Sequence, residues 1–291
     1  MGMRIRTNVP SLITQRYMSG NQEKLQGSME KLSSGYRINK SADDAAGLAV
    51  SGSMNAKLRG LNVARRNAND AISMIQVAEG SMNEMSNITV RLRELTVQAA
   101  SDTIGDKERG YLNREYVQLV DEFDRIAKTT EFNGTMLFDS GDQTEYVIQV
   151  GTNGSAPEEN LDTIKVDLEG IQFSSESIGL GKGSEIGPSE TGGSGPTRNE
   201  IAEKLSTIDD ALTRIASERA TLGAVQSRMG SSINNLSINI ENLDTARSRI
   251  MDVDFASETA NLTQSRILVA ASASVLGQAN SAPEVALQLL R

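Results

Sequence analysis

Residues 201–250 carry an apolar side chain at every seventh position. The eight members of the series are Ile201, Ile208, Ile215, Leu222, Met229, Leu236, Leu243 and Ile250. This spacing is typical of one continuous seam along a helix, and no proline interrupts it. The pattern predicts a helix about 75 Å long, which needs partner helices to cover its seam. The alternative is a set of shorter helices joined near Gly223 and Gly230.

Helical spacing also marks the N-terminal region. Apolar side chains in residues 1–34 recur three, four or seven positions apart, and Gly35 supplies the left-handed conformation in which helices end. Ser41, followed three positions later by Asp44, is typical of a helix N-terminus. The sequence therefore predicts a helix before Gly35 and another after Ser41.

The helix after Ser41 is predicted to extend from about residue 44 to residue 99. Its apolar stripe is expected to shift between Met82 and Ile88, because the apolar residues there are three and three apart. Gly105 breaks the pattern. A third helix is predicted from one apolar face, formed by Leu112, Tyr116, Leu119, Phe123 and Ile126.

After Thr130 the apolar period changes from helical to alternating. Asn133 and Gly134 form a turn signal. Alternation over residues 146–150 and again over 164–168 predicts two strands of a hairpin. Residues 174–196 are rich in Gly, Ser, Pro and Glu, so they are expected to be a flexible surface loop.

The C-terminal region, from residue 256 to about residue 280, is predicted to be a helix with apolar residues on several faces. A helix of that kind, nearly free of charge, must be surrounded by protein. The expected fold is mainly α: an elongated antiparallel helical and coiled-coil rod with a small β-hairpin element. Because both ends of the chain are amphipathic, the fold is expected to be completed by assembly.

Composition restricts the possible chemistry. The chain has no cysteine, no histidine and no tryptophan, so it lacks thiolate chemistry and the commonest general base and metal ligand. The acidic pairs at residues 43–44, 158–159 and 209–210 are best interpreted as a helix cap, a solvated turn and a helix surface. We therefore expect no catalytic, cofactor or metal site and no enzymatic function.

A glycine-rich run at residues 179–184 invites comparison with a phosphate-binding loop. The glycine required five positions before Gly181 is Glu176, and the residue after Lys182 is Gly183 where Ser or Thr is needed. The run also lacks a flanking strand and helix. It is therefore not expected to bind nucleotides.

Charge is unevenly distributed. Residues 1–40 carry seven Lys or Arg and two Glu, although the whole chain has a net charge of −9. A basic arm on an acidic body is compatible with nucleic acid, an anionic membrane or complementarity between subunits. The cations are spread out and not interleaved with aromatic residues, so no nucleic-acid partner is expected.

No membrane segment or cleavable secretory signal is expected. The region after Arg4 and Arg6 never runs seven apolar residues, so it lacks a hydrophobic signal core. Residues 267–283 are uncharged but contain Ser, Gly, Gln and Asn. They are interpreted as a helix enclosed by protein, without membrane insertion.

Three arginines, Arg65, Arg219 and Arg247, fall within the predicted seams. An arginine buried alone is costly, so each is expected to meet a carboxylate or to lie at a contact that sets the register.

Several motifs resemble those of bacterial flagellins. The N-terminal ones are residues 31–39 (KLSSGYRIN), 43–49 (DDAAGLA), 66–70 (RNAND), 93–95 (REL) and 132–134 (FNG). The C-terminal ones are residues 222–228 (LGAVQSR), 248–256 (SRIMDVDFA) and 278–280 (QAN). The middle, from about residue 140 to residue 197, resembles the family only weakly.

The resemblance implies a structural subunit that self-assembles into the flagellar filament used for motility. Residues 1–40 with 251–291 would form the coiled-coil inner tube, and residues 41–173 with 197–250 a helical outer layer with its hairpin. Residues 174–196 would stand in place of further outer domains. The assembly interface is expected to include Leu12, Leu25, Leu32, Leu262, Leu268, Val269, Val275 and Leu276.

The resemblance also implies partners and a location. The chain would be secreted unfolded through the flagellum's own channel into the extracellular filament. Its partners would be further copies, sibling flagellins, an export chaperone, and cap and junction proteins. Relatives are recognised by a vertebrate innate immune receptor, and the matching positions are Arg91, Leu95 and Glu115.

Two further interpretations stay open from the sequence. A hook–filament junction protein would share terminal helices of this kind, but should not propagate a filament indefinitely. A coiled-coil signalling or adaptor protein should instead form a small closed oligomer of fixed mass.

Overall fold

A computed structural model describes residues 7–138, 145–152, 161–181, 185–188 and 196–288, with side chains described up to residue 281 and without that of Glu169. The acidic pair at 158–159, positions 182–184 of the glycine-rich run and the apolar C-terminal tip lie outside these residues or side chains. The described helices are α1 (Val9–Ser34), α2 (Ala45–Ala99), α3 (Asp106–Thr129), α4 (Arg198–Met251) and α5 (Phe255–Gln288). The strands are β1 (Glu131–Phe132), β2 (Thr135–Met136), β3 (Glu145–Gln149) and β4 (Thr163–Asp167), and a short 3-10 turn follows at Glu169–Ile171. The predicted mainly α fold with a small hairpin element is confirmed.

The chain divides into two compact units. The first comprises Met1–Leu58 with Glu241–Arg291, and the second comprises Arg59–Ile240. Each unit therefore draws on both halves of the sequence.

The second unit contains the apolar core, and the seven-residue series of α4 is part of it. The members of this series that are buried are Ile201, Ile208, Ile215, Leu222, Met229 and Leu236. Helix α4 continues without a break through Gly223 and Gly230. The single long helix is confirmed, and the alternative of several shorter helices is wrong.

The buried stripe of α2 does not shift where the sequence suggested. It passes from Met85 to Thr89 and Thr96, both fully buried, while Ile88 is only partly buried. Each threonine hydroxyl donates to a carbonyl of its own helix, Thr89 to Met85 and Thr96 to Leu92, at 2.7 Å in both cases. The predicted shift is wrong because a self-satisfied threonine can occupy an apolar seam.

Ser41 does not cap α2. The helix begins at Ala45, and the carboxylate of Asp44 accepts the backbone N–H of Gly47 at 2.8 Å. The neighbouring carboxylate of Asp43 accepts the N–H groups of Asn39 and Lys40 at 3.0 and 2.9 Å. The cap lies three residues later than predicted, because the preceding residues are used in a turn.

Two antiparallel strand pairs lie between α3 and α4 in the sequence. The turn joining β1 to β2 places Asn133 at φ 52° and Gly134 at φ 78°, as expected for an Asn-Gly hairpin turn. Strands β3 and β4 pair Tyr146 with Val166 and Ile148 with Ile164. Both sequence predictions are confirmed.

The segment after β4 is packed into the second unit. Ile178, Leu180 and Ile186 are buried there. The expectation of a surface loop is therefore wrong for these residues. The few apolar residues of the segment were enough to join the core because helix side chains satisfy its backbone.

Hydrogen bonds and a close backbone approach hold this segment to the helices. The carboxylate of Asp124 accepts the N–H and the hydroxyl of Ser175 at 2.7 and 2.8 Å. The side-chain oxygen of Asn113 accepts the N–H of Ile186 at 2.9 Å. A methyl group added at Gly187 would lie 2.3 Å from a backbone oxygen of α3.

Ion pairs connect the helices of the second unit. Arg93 meets Asp209 at 2.6 Å, and the seam residue Arg219 lies 3.9 Å from Glu79. In the first unit, the seam residue Arg247 meets Asp244 at 3.2 Å. Two of the three seam arginines thus meet a carboxylate, as predicted, whereas Arg65 donates to the amide oxygen of Asn62 at 3.2 Å.

Substitution of Gly187 by alanine should destabilise the second unit. The added methyl group would overlap backbone atoms of α3, so we expect the free energy of unfolding to fall by about 1–3 kcal/mol. Urea unfolding followed by circular dichroism measures this. The control is Gly80→Ala, where the new methyl group meets nothing within 4 Å and should stabilise the helix by about 0.5–1 kcal/mol. Equal effects at the two glycines would contradict the packed position of Gly187.

The Arg93–Asp209 contact should make stability depend on pH. The hydrogen bond from Arg93 lowers the pKa of Asp209 below its usual value. The stabilisation is therefore complete above the unfolded carboxyl pKa of about 4 and is lost as pH falls below it. Asp209→Asn should lower the urea midpoint at pH 7 and leave it unchanged near pH 2.

Asp210→Asn is the control for this pH effect, since Asp210 forms no ion pair with a described residue. Its effect should be small and alike at both pH values. An Asp209→Asn effect of the same size at both pH values would show that the ion pair is not its source.

Candidate assembly interface

In the first unit, α1 and α5 pack antiparallel. The side-chain amide of Asn8 donates to the carbonyl of Ala279 at 2.8 Å. The amide of Asn21 donates to the hydroxyl of Ser272 at 3.3 Å. Residue numbers thus rise along one helix as they fall along the other.

The covered positions of both helices follow the alternating steps of three and four residues that define a coiled coil. On α1 these positions are Ser11, Thr14, Met18, Asn21, Leu25, Ser28 and Leu32. On α5 they are Glu258, Leu262, Ser265, Val269, Ser272, Leu276 and Ala279. We call this set the seam.

The seam covers apolar side chains incompletely. The fully buried side chains on α1 are Ser11 and Ser28, and on the described part of α5 the fully buried one is Ser265. No described apolar side chain of either helix is fully buried. The pair by itself therefore gains little stability from apolar burial.

Hydrogen bonds fix the base of the pair. Helix α1 ends at Gly35, whose φ of 75° is the left-handed conformation predicted from the sequence. The N–H of Arg37 donates to the carbonyl of Met251 at 2.6 Å, and the N–H of Val253 donates to that of Gly35 at 3.0 Å. The Arg37 guanidinium also donates to Ile250 at 2.7 Å. The connection after α1 and the connection before α5 are thereby tied together.

Both helices expose large apolar residues away from the seam. On α1 the exposed fractions are 47% for Val9, 57% for Leu12, 44% for Ile13 and 62% for Tyr17. On α5 the exposed residues are Phe255, Ile267, Leu268 and Val275. We call these residues the outer faces of α1 and α5.

The eight residues predicted for the assembly interface fall into two groups. The exposed members are Leu12, Leu268 and Val275. The half-buried members, which lie in the seam within one chain, are Leu25, Leu32, Leu262, Val269 and Leu276. Their roles in assembly stay predictions.

Sequence reasoning missed other members of the outer faces, namely Val9, Ile13, Tyr17 and Ile267. The available signal was their position off the seven-residue stripe of their helix.

The positions matched to receptor contacts lie in the second unit. The Arg91 guanidinium meets Glu115 at 2.7 Å and Glu94 at 2.8 Å on the surface. Hydrogen bonds to these two carboxylates raise the pKa of Arg91. Leu95 is 1% exposed, so its side chain is not accessible to a partner in this conformation.

Two other kinds of site were sought among the described residues. None of their helices is both long and apolar enough to cross a membrane. Nor do their acidic side chains gather into a group of three that could hold a metal ion.

An antiparallel terminal coiled coil with uncovered apolar outer faces defines a structural chain that associates with other chains. Comparison with known proteins gives the family. Residues 5–143 match the bacterial flagellin N-terminal helical region, and residues 205–290 match the bacterial flagellin C-terminal helical region.

The chain is similar to flagellins along its whole length. It is 41% identical to a flagellin of Halalkalibacterium halodurans, a match that covers 99% of this chain and 100% of that one. It is 40% identical to a flagellin of Bacillus subtilis, with the same two coverages.

A solved structure shares the fold. It is a putative flagellar hook-associated protein from Vibrio parahaemolyticus, with a TM-score of 0.57 and 14% identity, and the match covers 72% of this chain and 100% of that one. At this identity the likeness concerns the fold alone.

The chain belongs to the bacterial flagellin family. It is a structural subunit of the flagellar filament, the helical assembly that serves motility. Membership implies polymerisation with copies of itself into a filament outside the cell.

Proposed function

We propose that α1 and α5 are the segments through which this flagellin polymerises, with their outer faces covered by neighbouring copies. The observation that carries the proposal is the exposure of Val9, Leu12, Ile13 and Tyr17 on one helix and of Ile267, Leu268 and Val275 on the other. Contiguous exposed apolar surface of this kind is typical of sites of protein association.

The energetics support the same conclusion. Full burial of one large apolar side chain stabilises by about 1.5–3 kcal/mol, so covering both outer faces is worth on the order of 10 kcal/mol per subunit. The seam lacks a fully buried apolar core of its own. Neighbouring copies would therefore supply much of the free energy that orders the two helices.

The domain assignment follows from this role. Residues 1–40 with 251–291 would form the inner tube, and residues 41–173 with 197–250 the surrounding layer. Residues 174–196 would take the place of additional outer domains. The packing of Ile178, Leu180 and Ile186 supports a compact outer surface here.

The remaining partners follow from family membership. The chain would be exported unfolded through the flagellum's own channel and would meet an export chaperone, a cap protein and a junction protein. The absence of cysteine is compatible with this route, because no disulfide could form before threading. Unlimited growth on filament seeds would distinguish this subunit from a junction protein.

A charge placed on either outer face should block polymerisation. Leu12→Asp and Leu268→Asp would each put a carboxylate into an interface between copies, where an unpaired charge is expensive. We expect the critical concentration for growth on filament seeds to rise at least about a hundredfold. Light scattering and electron microscopy measure the growth.

The matched control is Val147→Asp, which changes an apolar residue that is 55% exposed in the second unit. Its critical concentration should stay within about threefold of the unsubstituted chain. Normal growth of both leucine variants would refute the assembly role of the outer faces.

Removal of a terminal helix is a second test of this role. Chains lacking residues 1–34 or residues 256–291 should remain soluble and should not extend filament seeds, since each lacks one outer face. Long filaments from either shortened chain would contradict the proposal.

A further inference from the structure

The N-terminal half of α1 turns its more apolar side away from α5. The positions that it presents to α5 are mostly polar: Asn8, Ser11, Thr14, Met18 and Asn21. The outer face of the same half carries Val9, Leu12, Ile13 and Tyr17, all exposed. Burial of apolar area alone would favour α1 rotated by about half a turn.

Three hydrogen bonds oppose that rotation. Asn8 donates to the carbonyl of Ala279, Asn21 donates to Ser272, and the Ser11 hydroxyl donates to the side-chain oxygen of Asn280 at 2.8 Å. Turning α1 by half a turn would break all three. Ser11 is only 7% exposed, and a buried hydroxyl that loses its partner is costly.

The first of these contacts also fixes the start of α1. The side-chain oxygen of Asn8 accepts the N–H of Ser11 at 3.2 Å and so caps the helix, while its amide group reaches α5. One side chain therefore sets both where the helix begins and which side faces its partner.

We propose that Asn8, Ser11 and Asn21 are positioning residues for assembly. Their hydrogen bonds to α5 select the rotation of α1 that presents Val9, Leu12 and Ile13 to neighbouring copies. This inference rests on the proposed role of the outer faces. Buried polar residues fix register and pairing in coiled coils by the same physical means.

The inference explains why the seam is polar where the outer face is apolar. A seam of leucines would give a more stable pair, but it would not require an apolar outer face. Hydrogen bonds allow α5 to hold α1 while the apolar side chains remain free for other copies.

Replacement of Ser11 and Asn21 together by alanine tests the inference. The variant loses two of the three hydrogen bonds but keeps every apolar residue of the outer face. We expect its critical concentration on filament seeds to rise at least about tenfold. The matched control is Gln15→Ala with Gln22→Ala, two exposed residues of the same helix, which should change the value less than about threefold.

Exchange of the two hydrogen-bonding groups provides a rescue. Asn21→Ser combined with Ser272→Asn keeps a donor and an acceptor at this contact with their positions reversed. Its critical concentration should return to within about threefold of the unsubstituted chain, whereas Asn21→Ala alone should remain impaired. A purely structural need for asparagine at position 21 would not be rescued in this way.

The outcomes separate this inference from the proposed function. Growth of the Ser11→Ala, Asn21→Ala variant at the unsubstituted critical concentration, or failure of the exchanged pair, overturns the positioning role. If Leu12→Asp still blocks growth in either case, the outer faces retain their role. The urea midpoint of the second unit should be unchanged in all these variants, since none of the substituted residues lies within it.

Discussion

A helix in a two-helix pair can cover one face only, and this limit governs the terminal part of the chain. Both α1 and α5 carry apolar residues on two sides, but their pairing covers one stripe on each. What remains is a set of large side chains in water next to a seam whose fully buried side chains are serines. A flagellin has a use for this arrangement, because copies of the same chain can supply the missing cover.

The second unit solves the same problem internally. The stripes of α2, α3 and α4 contribute to one buried cluster, to which the β3–β4 hairpin and the segment after it also belong. Met82, Phe123 and Met229 are all fully buried there. This unit therefore has the completed core that the α1–α5 pair lacks, which separates the part of the chain that is stable by itself from the part that depends on association.

The polar contacts of the seam have a different purpose from those of the second unit. Asp124 and Asn113 satisfy backbone groups of a packed segment, so they remove a cost of burial. Asn8, Ser11 and Asn21 instead join two helices that could meet in another rotation. Specificity is their main contribution, since each hydrogen bond adds only about 1 kcal/mol of net stability.

The sequence alone determined much of the fold. The seven-residue series of α4, the left-handed end of α1 at Gly35 and the Asn-Gly turn were all readable, because each depends on local spacing or on the backbone freedom of one residue. The tertiary structure decided the rest. It placed Thr89 and Thr96 in an apolar stripe, packed Ile178 and Ile186 into a core, and separated Leu12 from Leu25 by the face each occupies. Those outcomes depend on which side of a helix meets its neighbour, and that choice is made by contacts between residues hundreds of positions apart in the chain.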